Sequence, residues 1–174
     1  MAADGQASAA MTPLDLVLTP RGLRFLGRTF PCSIGRGGVT ADKREGDGAT
    51  PRGTHRIVGC LFRPDRLPPP CGWAVPIRPG DLWSDDPHDA DYNLMVRAPY
   101  RHSHETLRRA DRLYDLVILT DWNWPRAVRG RGSAIFLHRW RNPGHPTEGC
   151  IAMSRSHLAW IARPIAPGSR IIVP

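Results

Sequence analysis

The chain has 174 residues, of which 41% are hydrophobic and 23% charged. That is the composition of one ordinary globular domain able to bury a core, and not of a disordered chain, a collagen, a coiled coil or a disulfide-dense miniprotein. No apolar run approaches the ~18 residues that a membrane-spanning helix needs. Twenty-four Lys plus Arg against sixteen Asp plus Glu give a net charge of +8, and Lys43 is the only lysine. An excess of this size attracts anionic partners, among them nucleic acid, acidic membrane surfaces and cell-wall polymers. The arginines scatter in ones and twos, often beside acids, as on a solvated surface.

In chain order, residues 14–18 alternate apolar side chains and end in Thr19-Pro20-Arg21-Gly22, the pattern of a strand and a turn. Residues 23–30 read as a second strand, and 32–36 continue it. Residues 39–53, rich in Gly, Asp and Thr, read as a loop. Strand character returns over 54–62. Seven prolines between Pro64 and Pro87 exclude a long helix there. That stretch reads as an irregular surface insertion anchored by Trp73, Trp83 and Tyr92. Residues 103–112 suit a short helical turn capped by Ser103, with Leu107 inward. Residues 113–119 and 133–140 are dense apolar strands flanking a loop. Residues 151–153 form a further strand, Ser154 is placed to cap a helix over 155–162, and 170–173 make the last strand. The expected fold is mainly β: a β-sandwich or barrel-like sheet with one or two short helices and a Pro-rich insertion. Residues 1–12 read as a flexible N-terminal segment and 13–174 as a single domain. The first ten residues lack the basic and apolar regions of a secretory signal.

Four cysteines are present, Cys32, Cys60, Cys71 and Cys150, and none forms a CxxC pair, so no structural zinc site is expected. Cys60 and Cys71 are spaced for a bridge, with Cys32 left over; free thiols fit equally. His102 and His104 with Glu105 lack a third ligand at telling spacing and read as surface histidines. Gly35, Gly37 and Gly38 lack the Lys-Ser/Thr of a phosphate loop. No metal and no cofactor is implied.

His138 closes one strand, and Cys150 follows the Gly149 turn after a loop. A thiol of pKa ~8.5 is only a few per cent ionised at neutral pH, and a neighbouring imidazole can take its proton. A glycine before the nucleophile lets the chain turn sharply and exposes N–H groups for an oxyanion.

Three blocks carry a resemblance. The first is His138, a loop, then Thr147-Glu148-Gly149-Cys150-Ile151. The second is Lys43, Glu45, Gly46, Asp47, Thr50, Pro51 and Gly53. The third is residues 113–123 followed by 132–138. In this order they resemble the L,D-transpeptidase catalytic domain family of the YkuD type. The resemblance implies a cysteine acyltransferase acting on peptidoglycan stem peptides, with attack before a terminal D-alanine and transfer of the acyl group to an amine. It implies Cys150 as nucleophile, His138 as base and then acid, and Gly149 and Cys150 amides as oxyanion donors. A cell-envelope location also follows from the family. Two positions depart from the family pattern: Glu148 stands where a histidine is frequent, and Ala152 where an arginine is. Arg139, Arg141 and Arg155 are candidate replacements for a substrate-carboxylate site, since guanidinium suits bidentate carboxylate binding. Glu148 either points away or orients a cationic acceptor. Thr147 and Trp122 complete the candidate substrate contacts, and Lys43, Glu45 and Asp47 read as a salt-bridged loop that shapes the sheet. Water as acceptor, or a non-catalytic wall-binding module of the same fold, are the alternatives. Nucleic-acid binding would rest on charge alone. No oligomeric contact is signalled, and a monomer is expected.

Overall fold

The computed structural model describes residues 10–174. The expected flexible segment therefore lies mostly outside the described residues. Where the description starts, the Ala10 carbonyl accepts from Arg170, and the Thr12 N–H donates to Asp15.

Among the described residues, fifteen strands and one helix follow in order. The first eight strands are β1 (Leu16–Thr19), β2 (Gly22–Phe25), β3 (Arg28–Phe30), β4 (Cys32–Ser33), β5 (Val39–Thr40), β6 (Thr50–Pro51), β7 (Gly53–Phe62) and β8 (Val75–Pro76). Then come β9 (Asp81–Ser84), β10 (Met95–Arg97), β11 (His104–Thr106), β12 (Leu116–Thr120), β13 (Phe136–Arg139), β14 (Ile151–Met153), α1 (Arg155–Ala162) and β15 (Arg170–Val173). Ten strands build one sheet in the order β3-β2-β1-β15-β7-β12-β13-β14-β4, with β8 beside β7. The two ends of this order approach each other through β2 and β4, so the sheet curls into a nearly closed barrel. The mainly β expectation holds.

The two faces of the central strands are covered differently. All five residues of β12 are buried, as expected where a strand is packed on both sides. Leu116 and Ile118 join Leu137 and the helix residues Leu158, Ile161 and Ala162 in one cluster. Val117 and Leu119 join Phe136, Trp83, Leu107 and Tyr114 in another. Helix α1 starts as anticipated: Ser154 is extended and its Oγ accepts from the His157 N–H at 3.2 Å. The residues it buries are spaced three and four apart, one face of a helix.

Three local expectations need correction. Residues 23–30 are not one strand. Leu26 and Gly27 both take positive φ (47° and 73°) and fold the segment into a β2–β3 hairpin, the geometry of a two-residue turn matched to strand twist. The insertion is not wholly irregular: β10, β9 and β11 form a three-stranded antiparallel sheet. Residues 103–112 contain strand β11 in place of a helical turn, because His104, Glu105 and Thr106 pair with Ser84, Trp83 and Leu82. Leu107 is nevertheless fully buried, and Trp83 and Tyr92 are buried beneath the insertion. All four cysteines are free thiols, so Cys60 and Cys71 are not bridged. No described helix is long and apolar enough to cross a membrane.

Candidate active site

Period-two alternation along β13 sends Leu137 to the helix side and Phe136 and His138 to the insertion side. Strand β14 runs parallel beside it, pairing Leu137 with Ile151 and His138 with Ala152. Cys150, one residue before β14, is thereby placed beside Phe136, on the same face as His138. Both line a cavity of about 400 Å³ with Glu105, Arg109, Tyr114, Trp140, Arg141, His145, Thr147, Glu148 and Ala152. A larger, more apolar hollow of about 450 Å³ at the β1–β2 turn, next to Pro31 and Cys32, contains none of the anticipated site residues.

The sulfur is held by backbone. Cys150 Sγ donates to the Ala134 carbonyl at 3.0 Å, and the Phe136 N–H donates to Sγ at 3.4 Å. Ala134 is itself fixed, since its N–H donates to Asn93 Oδ1 at 2.9 Å. The same oxygen accepts from the Trp83 indole, so buried Asn93 ties the insertion to the strand end that holds Cys150.

His138 Nδ1 lies 2.7 Å from the Arg139 carbonyl. A carbonyl only accepts, so Nδ1 carries the proton and Nε2 keeps the lone pair. The Tyr114 ring packs edge-on against the imidazole, with centroids 5.3 Å apart. Burial pulls the His138 pKa down to about 4. Burial, with the Glu105 charge added, pushes the Cys150 thiol up to about 12. The resting pair is therefore a thiol and a neutral imidazole, not a thiolate–imidazolium pair.

The turn before Cys150 is built by two threonines. Thr147 Oγ1 donates to the Cys150 carbonyl at 2.6 Å and accepts from the Gly149 N–H at 3.1 Å. Thr50 Oγ1 donates to the Gly149 carbonyl at 2.9 Å and accepts from the Gly35 N–H. Gly149 has φ +136°, and a Cβ there would sit 2.8 Å from the Ala49 carbonyl, so no other residue fits without moving the strand. Lys43, almost fully buried, donates to Asp47 and to the Arg44 carbonyl. It fixes the loop that presents Thr50, the shaping role expected of this segment, whereas Glu45 is outside the ion pair and accepts from the Tyr92 hydroxyl.

The other anticipated residues divide. Arg141, Thr147 and Glu148 line the cavity. Glu148 pairs with Arg36 at 2.8 Å, both well exposed. Arg139 contributes its carbonyl to His138, but its side chain and Arg155 flank a different hollow beside Pro68, Pro69 and Pro70. Trp122 lies away from the cavity, its indole donating to the Arg131 carbonyl and its ring edge-on to His55. Glu105, Arg109, Tyr114 and His145 were not anticipated in the site. Glu105 is one residue of a three-residue strand, too short for any periodic signal to mark it.

The L,D-transpeptidase catalytic domain (YkuD) family model matches residues 19–173. With nearly the whole chain matched, and with the barrel-like sheet carrying the histidine and cysteine described above, this chain belongs to the L,D-transpeptidase catalytic domain family. Among solved structures it is similar to an L,D-transpeptidase from Mycobacterium smegmatis, with 16% identity and a TM-score of 0.41; the match covers 91% of this chain and 56% of that one. A search of curated proteins gave no match.

Proposed function

We propose that this protein is a cysteine acyltransferase of peptidoglycan stem peptides, with Cys150 as nucleophile and His138 as its base, working at the cell envelope. The observation that carries the reading is the shared cavity of Cys150 and His138, with the imidazole fixed as the Nδ1–H tautomer by the Arg139 carbonyl. Nε2 takes the thiol proton as sulfur attacks the carbonyl carbon before the terminal D-alanine. The Cys150 N–H stabilises the developing oxyanion, joined by the Gly149 N–H once it leaves Thr147. Collapse breaks the C–N bond. The imidazolium returns its proton to the departing D-alanine amine, leaving a thioester. An acceptor amine then adds to the thioester, loses a proton through His138 and releases the thiol.

Arg141 at the cavity wall is suited to a substrate carboxylate and can stand in for the arginine that Ala152 replaces. Arg155 and Trp122 do not line the cavity and have no part in this reading. The test is D-alanine release from a tetrapeptide stem by the wild type and by Cys150→Ala. Release by the wild type alone, with Cys150→Ala folded by circular dichroism, is the expected result. Equal release by both proteins contradicts it. Mass analysis of the products with and without an added amine separates transfer from hydrolysis.

A further inference from the structure

Glu105 lies in the cavity that Cys150 and His138 share. Its Oε2 accepts from the Tyr114 hydroxyl, whose ring packs on His138. Its Oε1 receives no donor from the described residues. No nearby cation bonds to it directly, although the Arg109 charge acts on it from a distance. Arg109 forms a forked pair with Asp111 and lies over the Tyr114 ring. Lys43 holds Asp47 and the Arg44 carbonyl. Asp85 and Glu45 add further negative charge around Glu105. Oε1 is open to the cavity, and a carboxylate beside a thiol that must ionise opposes the chemistry, because like charges disfavour each other at short range. The conflict disappears when a cation sits against Oε1.

We propose that Glu105 is an ammonium-binding subsite beside Cys150, and that a primary ammonium group of the peptide substrate seated there readies the thiol for attack. The proposal rests on the acyl-transfer reading above and adds a recognition element to it. Tyr114 positions the carboxyl and links it to the face of His138. Water is neutral and leaves the Glu105 charge uncompensated, so the subsite favours turnover of cationic peptides. Burial raises the Glu105 pKa, and a bound ammonium group acts in the opposite direction. The groups that set its titration are Tyr114, Asp85, Arg109 and Glu45, together with the Cys150 thiol.

The test follows alkylation of Cys150 by iodoacetamide against pH, read by peptide mass so that Cys32, Cys60 and Cys71 are counted separately. Butylammonium is the probe, and butanol is the neutral control of similar shape. In the wild type, butylammonium shifts the alkylation midpoint down by about one pH unit, about tenfold in rate below the midpoint, and butanol does not. Glu105→Gln is already shifted and ignores butylammonium, whereas Glu105→Asp retains the response. A wild type indifferent to butylammonium overturns the proposal without needing any variant, and so does an equal response in Glu105→Gln. Two further arms identify the source of the cation. Sensitivity of D-alanine release to acetylation of the donor's side-chain amine, lost in Glu105→Gln, assigns it to the donor. A Glu105-dependent partition of the thioester between amine and water assigns it to the acceptor. Absence of both effects removes Glu105 from substrate recognition. Cys150→Ala tests the acyl-transfer reading separately, because the alkylation arm requires no peptide substrate.

Discussion

On strand β13 Leu137 faces helix α1 while Phe136 and His138 face the insertion, and the two sides are held by different forces. The helix side is a continuous apolar cluster in which Leu137, Ile151, Leu158 and Ile161 are almost completely buried. Its stability comes from area removed from water and from packing. The insertion side begins as apolar packing at Trp83 and Phe136, then turns polar at the strand end. There the contacts are directional hydrogen bonds: Asn93 to Ala134, Ala134 to Cys150, Arg139 to His138, and Thr50 to Gly149. The contrast teaches that stability and chemistry are separable at one-residue resolution on this strand. Changes on one side should act on folding alone, and changes at the end of the other on reactivity, with a stability cost only where a buried backbone group is stranded.

The largest effect expected on the polar side is from His138→Asn. D-Alanine release should fall by about 10²–10⁴-fold, with the thermal midpoint close to that of the wild type. A large loss of stability in this variant would break the separation. Leu137→Ala, one residue away, should cost about 2–5 kcal/mol in a denaturant titration and leave the alkylation behaviour of Cys150 unchanged in the remaining folded protein. Thr50→Val strands the Gly149 carbonyl and the Gly35 N–H together, and should cost about 1–3 kcal/mol while slowing turnover. Thr50→Ser should restore both, which would sharpen the assignment of that hydroxyl to the turn.

Acid should reveal the buried imidazole. Unfolded His138 takes up its proton near pH 6.5, but folded His138 only near pH 4. Between those values the folded chain binds fewer protons than the unfolded one, so stability is full above pH 6.5 and declines as pH falls toward 4. His138→Asn should flatten that part of the stability profile. Asp15, held near pKa 2 by Arg170, should add a further loss between about pH 4 and 2, removed in Asp15→Asn. The smallest effect belongs to Glu148→Gln. Its pair with Arg36 is exposed, so less than about 1 kcal/mol is expected.

The elements legible in the sequence were those whose burial leaves a long enough imprint. Strands β7 and β12 carry apolar runs, and α1 carries both a cap and spaced apolar residues. His138 and the Gly149–Cys150 turn were legible because family resemblance joins two positions that spacing alone leaves unconnected. The insertion was not legible. Strand β11 has three residues, only Glu105 partly buried, and local capping signals at Ser103 outweighed a pairing with β9 that lies some twenty residues upstream. Glu105, Tyr114 and Asn93 escaped for the same reason: their roles come from tertiary contacts, with no neighbour in sequence to announce them. Trp122 shows the converse. A tryptophan beside an apolar strand looks like a substrate platform, yet here it anchors its own loop through the Arg131 carbonyl.

The most direct measurement is intact mass followed by peptide mapping of the wild type trapped with a tetrapeptide stem. The account predicts an added mass equal to the stem less its terminal D-alanine, carried by the peptide containing Cys150 and removed by hydroxylamine. An adduct on another residue, or D-alanine release with no acyl intermediate on Cys150, would contradict it.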